Sequence, residues 1–211
     1  MSHSDDPTFE EEDRRVRTRE RRVVRKTRDA APPGTPHATI VEMVGRWVKV
    51  REDAGGERRC KVRAPVVVGD RVWIVEEEVI GFAPRRTELR RGGNSGIRIV
   101  CANADRLIIV TAATDPPFRA GLVDRMLVAA SAGGMGATLV LNKCDLGMPD
   151  EVLERVARYE AIGVPSFLLA AVTRKGVEPL RDHLAGQTSV LAGHSGGGKS
   201  TLLAALVPGT A

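Results

Sequence analysis

The segment Gly193-His-Ser-Gly-Gly-Gly-Lys-Ser200 carries the clearest chemical signal in this 211-residue sequence. It fills every fixed position of G-x-x-x-x-G-K-[ST]. Glycines at this spacing let the backbone wrap phosphate groups closely, and main-chain N–H groups at a helix N-terminus favour the negative charge. Lys199 is placed to reach the β- and γ-phosphates and is the candidate catalytic residue, while the Ser200 hydroxyl is the candidate ligand for Mg²⁺. The candidate phosphate-binding residues are Gly193, His194, Ser195, Gly196, Gly197, Gly198, Lys199, Ser200 and Thr201.

A phosphate loop does not name the base, but Asn142-Lys-Cys-Asp145 does. The pattern N-K-x-D offers the Asp145 carboxylate to the N1–H and exocyclic amine of guanine. Adenine lacks that donor pair and would leave the carboxylate unpaired. Asn142 would orient the loop, and the stem of Lys143 would cover base and ribose. Farther on, Ala170 and Ala171 stand where a Ser-Ala pair would present a backbone N–H toward guanine. Asn142–Asp145 comes before the phosphate loop, the reverse of the usual order. Circular permutation preserves a site in space because chain termini often lie close together.

Strands and helices must deliver these loops. Arg106–Thr111 and Ala137–Leu141 read as buried strands, and Ser166–Ala170 and Thr188–Ala192 as further strands. Leu122–Ala132, Asp150–Ile162 (with Asp150 as cap), Val177–Leu184 and a segment from Lys199 read as helices. Such alternation predicts a mostly parallel α/β sheet. Upstream, Thr39–Val44, Arg46–Val50, Arg59–Arg63 and Asp70–Val75 are β-rich, with turns at Asp53-Ala-Gly-Gly56 and Val68-Gly-Asp70. They predict a small barrel of the OB type, with other small barrels as the alternative. Lys49, Arg51, Arg58, Arg59, Lys61, Arg63 and Arg71 would make it basic. The expected division is a charged, disordered arm and linker over 1–36, an OB domain over 37–92 and a nucleotide-binding domain over 93–211.

Bulk properties bound the reading. The chain is 42% hydrophobic but only 3% aromatic, so aliphatic side chains must fill the cores. The net charge of +5 fits a polyanionic partner, or a surface that is merely solvated. The arm joins an acidic block to an Arg-rich run, which suits either an RNA contact or a self-paired tail. Cys60, Cys101 and Cys144 form no C-x-x-C pair and suit a reducing compartment. No apolar run is long enough to span a bilayer. The expectation is a cytoplasmic monomer with no membrane partner.

At this point the sequence resembles the RsgA family of circularly permuted GTPases. The resemblance runs from about Ala38 to Gly209. It rests on the barrel region, Pro84-Arg-Arg-Thr-Glu-Leu-Arg-Arg91, Ala102-Asn-Ala-Asp-Arg-Leu-Ile-Ile-Val110, Leu122-Val-Asp-Arg-Met-Leu-Val128, Leu141–Leu146 and Ser189–Leu203. It implies an OB-type barrel followed by a permuted α/β P-loop domain that is incomplete at its C-terminus. It also implies GTP and GDP as ligands, Mg²⁺, and the small ribosomal subunit with its rRNA as partner. The activity implied is GTP hydrolysis late in small-subunit maturation. The family's switch segments and zinc domain would follow Pro208-Gly-Thr-Ala211, and this sequence holds no zinc-ligand cluster. His194 and Gly197 stand where Gln and Val are common.

The resemblance implies a chain unfinished for hydrolysis, a fragment or an incomplete gene product, with Thr188–Ala192 as an exposed sheet edge. Two further readings stay open. The P-loop also looks like that of ABC transporter ATPases, and the barrel with its arm could serve as a non-catalytic RNA-binding protein.

Overall fold

The structure, a computed structural model, describes residues 34–93 and 96–207. The charged arm therefore lies outside the described residues except for 34–36, as do Asn94, Ser95 and Pro208–Ala211. The chain divides into two compact units, 34–86 with 90–102, and 87–89 with 103–207.

In the first unit, β1 (Ala38–Val44), β2 (Trp47–Glu52), β3 (Glu57–Val62), β4 (Arg71–Val75) and β5 (Glu78–Phe82) close into a barrel of order β1-β2-β3-β5-β4. Strand β1 returns to pair with β4, and β3 pairs parallel with β5. This is the OB-type connection. Alternate residues point inward, so Ala38, Ile40, Val48, Val50, Cys60, Val72, Ile74 and Val79 fill the interior. Strand β5 was not foreseen from the run Glu76-Glu-Glu78; Glu76 and Glu77 form the turn out of β4, and Glu78 opens β5.

Asp70, fully buried, accepts Val67 N–H at 2.8 Å and two bonds from the Arg85 guanidinium at 2.7 and 2.8 Å. Most of the barrel's expected positive surface is internally neutralised. Lys49 and Arg51 pair with Glu57, Arg58 with Glu52, Arg63 with Glu78 and Arg71 with Asp53. Of the seven basic residues, only Arg59 and Lys61 lack an ion pair among the described residues.

Gly92 and Gly93 end β6 (Glu88–Gly93) and Gly96 opens β7 (Gly96–Ala102), and the two strands form a two-stranded sheet. The contact division falls after Ala102.

The second unit holds a parallel sheet of order β10-β9-β8-β11, from β8 (Arg106–Ala112), β9 (Gly136–Asn142), β10 (Ser166–Leu168) and β11 (Ser189–Gly193). Its central strands are apolar on both faces, as a sheet covered on two sides requires. Leu107, Ile108, Ile109, Val110, Leu139, Val140 and Leu141 are all fully buried. Helix α1 (Ala120–Ala132) packs on β8 and β9, and α2 (Asp150–Ala161) packs on β10. Helices α3 (Val177–Leu184) and α4 (Lys199–Leu206) touch each other, and Leu180 and Leu202 join Ile108, Val110 and Val140 in one core.

Asp150 lies inside the first turn of α2, and Pro149 takes the cap position without a side-chain bond. The acid still favours the helix start through the dipole. Tyr159 donates to Asp124 at 2.7 Å, and burial together with that carboxylate pushes its phenol up to about 12. Strand β11 is an edge, as expected. Among the described residues no helix is long and apolar enough to cross a membrane.

Candidate nucleotide-binding site

The strand order reverses between β8 and β11. The chain builds outward from β8 through β9 to β10, then crosses back to lay β11 on the other side. Ligands in open α/β sheets occupy the crevice beyond the carboxyl ends at such a switch point. The Gly193–Ser200 loop leaves β11 there, and Asn142–Asp145 leaves β9 there.

Two glycines show why the phosphate loop has its composition. Gly193 has φ +151°, and a Cβ there would meet Val110 O at 1.9 Å. Gly198 has φ +86°, caps α4 and would put a Cβ 2.3 Å from Asn142 Nδ2. The backbone can therefore turn tightly against β8 and against the β9 loop only without side chains.

The N–H groups of Gly196, Gly198, Lys199 and Ser200 make no hydrogen bond among the described residues. They are the orphan donors of a helix start, gathered in one concave turn, which is the composition of an anion site. Lys199 Nζ donates to Gly193 O at 3.1 Å and His194 O at 2.8 Å. An ammonium has three N–H donors, so one remains for an anion. His194 Nδ1 lies 2.6 Å from Ser195 O. Ser200 and Thr201 are exposed on the first turn of α4, and Ser200 makes no side-chain bond among the described residues. Arg181 on α3 donates to Ala205 O at 2.8 Å and Leu206 O at 3.3 Å, which caps the far end of the same helix with a cation.

Asn142 ties the two motifs together. It is 2% exposed. Its Nδ2 donates to Gly197 O at 3.1 Å, and its Oδ1 accepts Ala171 N–H at 3.0 Å. One carboxamide thus joins the phosphate loop, the β9 loop and the β10 loop. Lys143 follows in the left-handed region, φ 60° and ψ 34°, which is rare for a side-chain-bearing residue and typical of functional turns. Its Nζ donates to Asp115 O at 2.8 Å.

Asp145 lies exposed in a short 3₁₀ turn over Cys144–Leu146. Burial pushes the Cys144 thiol up, with the Asp145 carboxylate acting in the same direction, so it stays a protonated thiol near neutral pH.

The N–H groups of Ala170 and Ala171 are both in use, to Lys175 O at 2.9 Å and to Asn142. Val172 N–H, next in line, makes no hydrogen bond among the described residues. Sequence reasoning did not single out Val172, the Asn142 clasp, or the segment around Asp115 and Pro116. That segment had a signal: an Asp-Pro-Pro run directly after a buried strand must turn at the carboxyl edge of the sheet. Among the described residues no group of three or more His, Cys, Asp or Glu side chains is placed to hold a metal ion.

The profile described as RsgA GTPase matches residues 82–211. The chain is 36% identical over 214 residues to the small ribosomal subunit biogenesis GTPase RsgA of Pseudomonas aeruginosa, covering 95% of this chain and 62% of that protein. It is 39% identical over 154 residues to the RsgA of Gemmatimonas aurantiaca, covering 68% and 50%. Among solved structures, YjeQ from Thermotoga maritima matches with a TM-score of 0.67 and 28% identity, over 83% of this chain and 66% of that one. YloQ, titled a circularly permuted GTPase, shares the fold with a TM-score of 0.58 at 23% identity, over 81% and 64%. The chain spans 50% and 62% of the length of these two curated relatives.

Proposed function

Since the chain belongs to the RsgA GTPase family, we propose that it binds GTP and GDP and serves as a GTPase in late maturation of the small ribosomal subunit. The observation that carries this reading is the Asn142 clasp, which makes the base loops and the phosphate loop one preorganised unit. Asp145 takes the guanine N1–H and exocyclic amine. Val172 N–H, rather than that of Ala170 or Ala171, faces the O6 edge. Lys143 covers the base with its stem.

The phosphates lie in the cradle of orphan N–H groups, with Lys199 against the β- and γ-phosphates. A hard cation bound mostly by phosphate oxygens and water needs few protein ligands. The exposed Ser200 hydroxyl at the helix start fits that need. Mg²⁺ held there would neutralise charge on the phosphates. The ATPase reading is disfavoured because Asp145 has no donor pair to meet on adenine.

The barrel supports a contact with rRNA. Val44, Trp47 and Lys61 form one row across β1, β2 and β3. Trp47 is 39% exposed, and Lys61 Nζ lies 5.4 Å from its ring centroid. Arg59, without an ion pair among the described residues, lies on the same face. Aromatic faces beside cations suit unpaired bases. Ribosomal subunits and nucleotide pools share the cytoplasm, and the protein works there as a monomer.

Co-sedimentation with purified small subunits in the presence of a non-hydrolysable GTP analogue tests the partner. Protein travelling with small but not large subunits is expected. A folded, GDP-binding protein that travels with neither would overturn the ribosomal part of the reading.

A further inference from the structure

The segment 113–119 between β8 and α1 has no role in the account so far. It is held at two points, one beside each nucleotide motif. Lys143 Nζ, on the base side, donates to Asp115 O at 2.8 Å. On the phosphate side, the Pro116 ring lies 3.4 Å from where a Cβ of Gly196 would stand. A nucleotide whose base meets residues 142–145 and whose phosphates meet 193–200 must carry its ribose past this segment.

We propose that this segment is the ribose wall and that Asp115 accepts hydrogen bonds from the ribose hydroxyls; the proposal rests on the guanine-nucleotide reading above. The Asp115 side chain is 81% exposed, with Oδ2 3.9 Å from Lys143 Nζ. It is close enough to that ammonium to be held at the rim, and free enough to turn to a ligand. Its backbone carbonyl is used by Lys143, which leaves both carboxylate oxygens as acceptors. A carboxylate that accepts from a ribose 2′-hydroxyl is the solution that other switch-point nucleotide sites adopt. No described basic residue other than Lys143 is paired with it.

The test is calorimetric titration of the full chain with GDP and with 2′-deoxy-GDP, for wild type, Asp115→Asn and Asp115→Ala. Charge-assisted hydrogen bonds give an expected loss of about tenfold or more for the deoxy ligand in wild type. Asp115→Ala is expected to weaken GDP by a similar factor and to bind both ligands equally. Asp115→Asn, nearly isosteric, should fall between and guards against misfolding.

Equal weakening of both ligands by the variants would mean that Asp115 only holds Lys143, and would overturn the proposal. So would a wild type indifferent to the 2′-hydroxyl, or variants that keep wild-type discrimination. Failure of wild type to bind GDP at all would instead remove the underlying nucleotide reading.

Discussion

Replacing Asn142 with alanine strips partners from two main-chain groups, the Gly197 carbonyl and the Ala171 N–H. The site is buried, with Asn142 itself 2% exposed. Each orphaned group costs about 1–3 kcal/mol, and an entering water recovers part of that, so about 2–4 kcal/mol is expected. Gly198→Ala has two costs. The left-handed φ of +86° costs about 1–2 kcal/mol for alanine. The new Cβ, 2.3 Å from Asn142 Nδ2, also expels the carboxamide and forfeits most of its clasp.

The single change therefore costs about 3–5 kcal/mol. In the double variant the steric part has nothing left to displace, so the two changes fall short of additivity by about 2–3 kcal/mol. Both tryptophans, Trp47 and Trp73, lie in the barrel. Their fluorescence reports that unit alone and serves as an internal control. Far-UV circular dichroism and amide exchange on β8, β9 and α4 read the second unit. Strict additivity, or an Asn142→Ala cost under about 0.5 kcal/mol, would refute the clasp as the element that joins the loops.

Two further outcomes follow from buried polar groups. Arg85→Ala leaves the fully buried Asp70 carboxylate without its cation and should cost about 3–5 kcal/mol, read as an early barrel transition in tryptophan fluorescence. An apolar replacement of both partners should cost far less, and an equal cost would show that packing, not charge, dominates.

His183 lies 3.1 Å from Thr138 Oγ1, and burial, aided by Arg106, holds its imidazole below the ordinary range. The folded state therefore binds that proton less readily than the unfolded chain. The stability His183 contributes is complete above pH about 6.5 and falls as pH drops through the depressed folded value. Denaturant midpoints for wild type and His183→Gln should diverge only below that pH; parallel curves would contradict the assignment.

The chemistry-bearing loops were legible because each requires an unusual local composition. Gly193–Ser200 needs glycine where Val110 and Asn142 press on the backbone, and the run of apolar residues before each motif announces a central strand. Asp150 was misplaced by one position because an acid favours both a cap and a first turn. Strand β5 stayed hidden behind its glutamates, and the β6–β7 sheet behind glycines that also mark linkers.

Relations across the fold could not be read locally. That Asn142 consumes the Ala171 N–H, and so passes the base contact to Val172, depends on β9 and β10 pairing in one register. The barrel's charge misled for the same reason. The glutamates that pair with Lys49, Arg51 and Arg58 stand on the neighbouring strand and are visible only once the strands are paired.

The most direct test of the central claim is competition binding of GDP against ATP to this chain, with Asp145→Asn alongside wild type. Tight GDP binding that ATP does not displace, and that Asp145→Asn loses by about two to three orders of magnitude, is the predicted result. A folded wild type that binds neither nucleotide, or binds ATP as well as GDP, would contradict it.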